Sequence, residues 1–238
     1  MKPILSLALS TLLLAGQARI PGPGGETVSS SSSSGISFVN AASETPSAFG
    51  SQTISLSVTA GNLLYAFASD QEGGTALTVS DLSNGTWNLI GSDYNVGIGI
   101  NIAQFSIANT VTATLTVSVS SNATNGGLPV LTVLQFHGQT SATPIGYAGG
   151  VAGSSPPITS GTFSASAGNL IVFGCAVHGT STLTAGNPSG MAIPANGNPS
   201  NGNGSAAVEY AIAGSSATAA TISWSASQPA TGMAAVFH

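Results

Sequence analysis

Acidic side chains are the first groups in this sequence that could bind a ligand or catalyse a reaction. Asp70 and Glu72 stand close together after a predicted strand, and Asp81 and Asp93 follow in later loops of the same half. Loops at one end of a β-sandwich can converge, and several oxygens around one hard cation form a calcium site. Asp70 and Glu72 are therefore candidate calcium ligands. The spacing of an EF-hand loop is missing, so carboxylates exposed to solvent are the alternative interpretation.

Aromatic and amide side chains in the same region suggest a second kind of site. Trp87 and Tyr94 flank a predicted loop, together with Asn84, Asn88 and Asp93. Aromatic rings combined with a few polar groups are typical of pockets that bind small ligands. These five residues are the candidate lining of a binding site for a neutral glycan.

The histidines and the single cysteine offer no catalytic arrangement. His137 and His238 end corresponding strands, which favours a structural role, and no carboxylate is near His178 in the sequence to form a triad. Cys175 lies in an apolar run, where a buried thiol is expected. The sequence also lacks a Gly-x-Ser-x-Gly nucleophile motif. We therefore expect a protein that is not an enzyme and that has no cofactor, with calcium as the one candidate ion.

Positive charge is confined to the N-terminal part of the chain. After Arg19 the sequence has no lysine or arginine, and 4% of the 238 residues are charged. Nucleic-acid binding depends on Lys and Arg that neutralise phosphates, so no nucleic-acid partner is expected. Lysine-dependent phosphoryl transfer and Schiff-base chemistry are excluded for the same reason. With so few ionisable groups, the stability of the fold should depend little on pH.

Alternation of apolar and hydroxyl side chains predicts β-strands in the chain beyond residue 35. Residues 110–119 show it best, with apolar side chains at odd positions and threonine or serine at even positions. Such a strand packs one face against a core and exposes the other. Clusters of Gly, Asn, Asp and Pro separate the strands. The other predicted strands are 36–40, 52–58, 62–69, 77–80, 87–90, 97–107, 129–137 and 220–226.

The chain also repeats itself. The segment Ala-Gly-Asn-Leu at 60–63 returns at 167–170, and Phe-His at 136–137 returns at 237–238. A unit of about 100 residues has the size of a β-sandwich domain. We therefore expect an all-β fold of two tandem β-sandwich domains, jelly-roll or immunoglobulin-like, at residues 36–139 and 140–238.

The order of segments in the first half resembles a known kind of repeat. It reads Ala-Gly-Asn-Leu-Leu (60–64), Val-Ser-Asp (79–81), Asn-Gly-Thr-Trp (84–87) and Leu-Gln-Phe-His-Gly (134–138). This order is similar to the tandem β-sandwich repeats of secreted bacterial surface proteins and of phage or prophage structural proteins of the tail region. The resemblance implies a structural role and brings no catalytic residues with it. The second half lacks the Asn-Gly-Thr-Trp segment.

The N-terminal segment allows two interpretations. Residues 1–19 have the charged start, short apolar stretch and small residues of a secretory signal peptide. An uncleaved hydrophobic arm that docks into a neighbouring subunit is the alternative. The apolar stretch is shorter than the about 20 residues that span a bilayer, so we expect no membrane span in the mature chain. Residues 20–35 are rich in Pro, Gly and Ser, and we expect a flexible linker there.

The predicted strands also lack the usual protection of sheet edges. Natural sheets guard exposed edges with lysine, proline or inward-pointing charges, and lysine is missing here. This favours assembly with other subunits, including copies of the same chain. We expect a structural or adhesive module of an extracellular assembly, secreted or exposed on a virion. A carbohydrate-binding module is the alternative.

Overall fold

β-strands form all the regular structure in the computed structural model, which describes residues 35–44, 50–71, 76–95, 97, 99–122, 128–139, 141–195, 197, 199 and 204–238. The first half contains β1 (Ser37–Glu44), β2 (Ser51–Val58), β3 (Leu63–Gln71), β4 (Leu77–Asp81), β5 (Gly85–Thr86), β6 (Asn88–Asn95), β7 (Ile100–Ala108), β8 (Ala113–Ser121) and β9 (Val130–His137). The second half contains β10 (Gly146–Gly153), β11 (Ile158–Thr159), β12 (Leu170–His178), β13 (Leu183–Ala185), β14 (Gly204–Ile212), β15 (Thr221–Trp224) and β16 (Ala230–Phe237). The predicted segment 1–19 and positions 20–34 of the predicted linker lie outside the described residues.

The strands form four antiparallel sheets, two from each half of the chain. Sheet I has the order β2-β8-β4-β5, and sheet II has the order β1-β9-β3-β7-β6. Sheet III has the order β10-β16-β12-β14, and sheet IV has the order β11-β15-β13. The all-β fold expected from the alternating sequence is confirmed, and its architecture is consistent with a β-sandwich.

The four sheets stack as layers, and the described residues form three hydrophobic cores, one between each pair of neighbouring sheets. Sheets I and II enclose one core, around Val117 and Phe105, and sheets III and IV enclose another, around Phe173 and Ile222. The third core lies between sheets II and III, where Phe67 packs with residues of the second half such as Val172, Met233 and Phe237. The two halves therefore share a core, and residues 33–238 form one compact unit.

A central strand such as β3 contributes apolar residues to two cores at once. In β3, Leu64, Ala66 and Ala68 face sheet I, whereas Leu63 and Phe67 face sheet III. All nine residues of β3 are consequently buried. Consecutive apolar residues are the expected pattern for a strand that is covered on both faces.

The repeated Ala-Gly-Asn-Leu motif forms the same turn in both halves. Gly61 has a φ of 85° and Gly168 a φ of 87°, a left-handed conformation that glycine adopts at little cost. The N–H of Gly61 donates to the carbonyl of Asn109 at 2.8 Å, and the N–H of Gly168 donates to that of Ala213 at 2.7 Å. The motif therefore encodes the turn that leads into each half's central strand.

The repeated histidines pair with the asparagines of this motif. Nδ1 of His137 lies 3.1 Å from Oδ1 of Asn62, and Nδ1 of His238 lies 3.2 Å from Nδ2 of Asn169. Each contact ties the end of the last strand of a half to the start of its central strand. The duplicated contact supports the structural role expected for these histidines.

Glycines make room for larger side chains where the two halves meet. A Cβ added at Gly174 in β12 would overlap the ring of Phe67, and one added at Gly91 in β6 would overlap the ring of Tyr147. Two buried amides also cross the interface, since Gln104 Nε2 donates to the carbonyl of Met233 at 2.7 Å and Gln71 Nε2 to that of Val177 at 3.0 Å. These contacts fix the position of sheet II on sheet III.

Candidate functional site

A surface depression of about 300 Å³ lies between β6 of sheet II and β4 of sheet I. Strand β6 is the edge of sheet II, and its register pairs Leu89 with Phe105 and Tyr94 with Asn101. Leu89 and Tyr94 therefore point toward the layer of sheet I, but that sheet ends at β4 and β5. Both side chains remain accessible, with exposed fractions of 56% and 39%. The depression is lined by Ala76, Leu77, Leu89, Ser92, Asp93, Tyr94 and Asn101.

Tyr94 and Asp93 are the two predicted site residues that the structure brings to this depression, and they lie in a strand rather than a loop. Tyr94 presents an exposed aromatic ring beside the amide of Asn101, its register partner in β7. Asp93 borders the depression, but its carboxylate accepts a hydrogen bond from Thr231 Oγ1 in β16 at 3.3 Å. A Cβ at Gly150 in β10 would overlap that carboxylate, so glycine is needed where it packs. Asp93 therefore also connects the two halves.

Tyr147 lies beside this contact and was not expected as a site residue. Burial raises the pKa of its phenol, and the nearby carboxylate of Asp93 raises it further. Its ring packs where Gly91 lacks a side chain. Tyr147 is thus a neutral packing residue between β10 and β6.

Trp87 does not line the depression, which corrects its predicted role in stacking on a sugar. Its side chain is 3% exposed and belongs to the core between sheets I and II. Its indole Nε1 donates to Oδ2 of Asp81 at 2.8 Å. The other oxygen of Asp81 accepts from the backbone N–H of Ser83 at 2.8 Å and of Asn84 at 2.7 Å. The Asn-Gly-Thr-Trp segment is therefore a tight turn held by Asp81.

The hydrogen bonds to Asp81 determine its ionisation. Burial opposes the charged form, but the hydrogen bonds from the backbone of Asn84, from Trp87 and from Ser83 outweigh burial, so the pKa of Asp81 lies below its ordinary value. Asp81 is an anion near neutral pH, and its charge is compensated by neutral donors in place of a cation.

The two predicted asparagines have separate positions. Oδ1 of Asn84 accepts from the backbone N–H and the hydroxyl of Thr110 at 3.1 and 3.0 Å, so this amide joins the turn to the connection between β7 and β8. Asn88 is exposed at the start of β6 and pairs in register with Ser106. Neither asparagine lines the depression.

The structure describes one of the two predicted calcium ligands, Asp70. Asp70 is 1% exposed in β3, and the hydroxyl of Ser121 donates to its Oδ2 at 2.5 Å. Its register partner is Asn101, which also borders the depression. Glu72 lies outside the described residues. Within the described ranges, no three His, Cys, Asp or Glu residues are grouped closely enough to hold a metal ion, and calcium binding stays a prediction.

Glu209 is a buried carboxyl group that sequence reasoning missed. It is fully buried in β14 between Ala207 and Ala211, on the face that packs against sheet IV. The backbone N–H of Gly186 donates to its Oε2 at 3.0 Å, and its Oε1 has no partner among the described residues. Burial raises the pKa of Glu209 to about 8, partly offset by the Gly186 hydrogen bond. The sequence around Glu209 offers one weak signal, because Ala207, Val208, Tyr210 and Ala211 put apolar side chains on both faces of the strand.

Cys175 lies in the same core and is buried, as expected. Burial and, to a smaller extent, Glu209 raise the pKa of its thiol. A thiol that stays protonated is a poor nucleophile and a poor metal ligand. The geometry therefore supports packing as the role of Cys175.

Comparisons with known proteins add no family to this description. Among the described residues, no helix is long and apolar enough to cross a membrane. No family model matches the chain, and neither a curated protein nor a solved structure is significantly similar to it.

Proposed function

We propose that this protein is a non-enzymatic structural or adhesive component of an extracellular assembly, secreted or exposed on a virion. The observation that carries the proposal is the chemistry of the two outermost sheets. Both present hydroxyl groups to the outside, and their described strands place no charged residue on that face. A broad neutral face produces little repulsion between neighbouring molecules, as suits a component that packs closely with others.

The outer face of sheet I is the larger of the two. Its strands alternate buried apolar residues such as Ile54 and Val117 with outward-pointing hydroxyl residues. The outward-pointing residues are Ser51, Thr53, Ser55 and Ser57 in β2, Thr114, Thr116, Ser118 and Ser120 in β8, and Thr78 and Ser80 in β4. Sheet IV repeats the pattern with Thr159, Thr184, Thr221 and Ser223.

The positions of the polar side chains also support a structural role. His137 and His238 bind asparagines of the repeated turns, and Asp81 holds the turn before β5. Glu209 and Cys175 are enclosed in the core between sheets III and IV. These five groups, each of which could serve as acid, base or nucleophile, thus take part in folding contacts.

The location of the protein tests this proposal directly. An antibody raised against residues 35–238 should label intact cells or purified particles of the producing organism in immunogold electron microscopy. An antibody against a cytosolic enzyme is the control for intact membranes. Labelling that requires lysis of the cells, with particles unlabelled, would overturn the proposal.

A second candidate function is the binding of a neutral glycan at the depression, and the exposed ring of Tyr94 on its border favours it. Sugar rings stack on exposed aromatic faces, and amides supply the hydrogen bonds. On a glycan array, wild-type protein and Tyr94→Phe should bind the same glycan, whereas Tyr94→Ala should not. Binding unchanged in Tyr94→Ala, or no binding by wild type, would exclude this site.

A further inference from the structure

The edge strands of the four sheets differ in how they are protected against pairing with another chain. Three are very short, with two residues in β5 and β11 and three in β13. Three others, β1, β6 and β10, carry irregularities that shift their register. Short and bulged edges are known devices against edge-to-edge association.

The edge of β14 is covered by the preceding loop. Ala192 and Tyr210 exchange backbone hydrogen bonds of 2.9 and 3.0 Å. Farther along, Ala206 donates to the carbonyl of Pro199 and Val208 to that of Gly197. The Asn-, Gly- and Pro-rich segment of the second half therefore protects this edge.

Strand β2 has none of these protections. Its eight residues pair with β8 in an unbroken register, from Ser51 opposite Ser120 to Val58 opposite Ala113. It contains no proline and no charged residue, and it alternates strictly between exposed and buried side chains. Among the described edge strands, β2 is the long, regular and neutral one.

Hydrogen bonding shows which groups of β2 face outward. The N–H of Ser121 donates to the carbonyl of Gly50 at 2.9 Å, which makes these two residues a hydrogen-bonded pair. In an antiparallel ladder such pairs alternate, so even-numbered residues of β2 bond to β8 and odd-numbered residues point away. The carbonyl of Ser57 points away and is occupied by Asn40 Nδ2 at 2.8 Å. No backbone partner among the described residues occupies the outward groups of Ser51, Thr53 and Ser55, so the edge remains available at these three residues.

We propose that β2 pairs with β2 of a second copy of this chain, antiparallel and centred on Thr53. This inference rests on the proposed assembly function and names its contact. The register follows from the three available residues, since Thr53 then faces Thr53 of the second copy and Ser51 faces Ser55. Each facing pair exchanges two backbone hydrogen bonds.

The composition of β2 identifies a second copy as the partner. In this register Gln52 faces Ile54 of the second copy on the core side, and hydroxyl groups face hydroxyl groups on the outer side. The contact is isologous, as in most two-fold dimers. The chain has a net charge of −5, but β2 contributes none of it, so its self-pairing brings no like charges together. Pairing joins the two hydroxyl faces into one continuous sheet.

An engineered disulfide tests the register. Facing residues of a hydrogen-bonded antiparallel pair have Cα atoms about 5.5 Å apart, which a disulfide can bridge. Thr53→Cys should therefore form a covalent dimer on mild oxidation, seen on a non-reducing gel at twice the 23.1 kDa of the chain. Thr116→Cys, on the same outer face but in the interior strand β8, is the matched control and should stay monomeric. The native Cys175 is buried and should not cross-link.

A proline substitution tests the edge itself. The N–H of Ser55 points outward, so Ser55→Pro removes a donor of the dimer without removing one from the ladder with β8. Light scattering should give a dimer for wild type and Ser55→Ala and a monomer for Ser55→Pro, with unchanged circular dichroism. A monomeric full-length chain, a dimer that survives Ser55→Pro, or equal cross-linking of the two cysteine variants would overturn the proposal. The immunogold result does not depend on β2, so a monomer found outside the cell would overturn this contact and leave the proposed function standing.

Discussion

Replacing Glu209 with glutamine should remove most of the change in stability of this protein between pH 5 and 8. The Glu209 carboxyl has an ordinary pKa of 4.5 and one of about 8 in the fold. Between these values the folded protein holds a proton that the unfolded chain releases, so stability is full below about pH 4.5 and falls as the pH rises. Each pH unit in this window costs up to about 1.4 kcal/mol. The whole window therefore costs at most about 5 kcal/mol, which is comparable to the total stability of many domains at roughly 5–15 kcal/mol.

Glutamine is the matched substitution because it keeps the size of the side chain and an oxygen that can accept from Gly186. The two proteins are compared by urea unfolding at pH 5, 6, 7 and 8. The fluorescence of the buried Trp87 and Trp224 reports the unfolding. Wild type should lose stability steadily over this range, and Glu209→Gln should change little and be the more stable protein at pH 8. Parallel profiles for the two proteins would refute the reasoning, because they would show that Glu209 does not hold its proton in the fold.

Two further substitutions test the packing between the halves and the turn at Asp81. Gly174→Ala should lower the free energy of unfolding by about 1–3 kcal/mol, because the added methyl group overlaps Phe67. Gly153→Ala has open space around its Cβ and should leave the melting temperature unchanged, and equal melting temperatures for the two variants would contradict the role of Gly174. Asp81→Asn should cost roughly 1–3 kcal/mol at pH 7, because an amide cannot accept from all the donors around Asp81. The lowered pKa of Asp81 makes its contribution present above about pH 4 and lost as the pH falls further, so acid titration should destabilise Asp81→Asn less steeply than wild type.

The raised pKa of Glu209 predicts a stronger pH dependence of stability than the composition does, and the difference has a physical reason. The composition gives only the number of ionisable groups. One carboxyl group that is buried without a cation can change the pH dependence of stability more than many exposed carboxyl groups. Apolar residues flank Glu209 on both faces of its strand, but nothing in the sequence shows which residues cover those faces. Its partner Gly186 comes from the loop after β13, and its pKa depends on that tertiary contact.

Local patterns predicted the strands well and the candidate site less well. The alternation in residues 110–119 corresponds to β8, and the Ala-Gly-Asn-Leu motif forms its turn in both halves. Asp93 and Tyr94 were expected in a loop because Gly91, Ser92 and Asn95 disfavour strands. Pairing of β6 with β7 overrides this preference, and a register shift between Leu89 and Gly91 accommodates it. Trp87 is buried in the core between sheets I and II and donates to Asp81, a contact that spacing suggests only once the turn is known.

The four-layer architecture explains why this chain can do almost without charge. Strands β3, β12 and β16 are buried along nearly their whole length, since each has one core on either side. Charged residues are costly there unless they are paired or hydrogen-bonded, and the one acidic residue in these three strands, Asp70 of β3, accepts a hydrogen bond from Ser121. In the proposed dimer, a lysine or glutamate in place of Thr53 on the outer face of β2 would meet the same charge in the second copy. Threonine and serine keep that face hydrated without this repulsion, so the proposed dimer would give the uncharged outer face of β2 and its unprotected edge the same physical explanation.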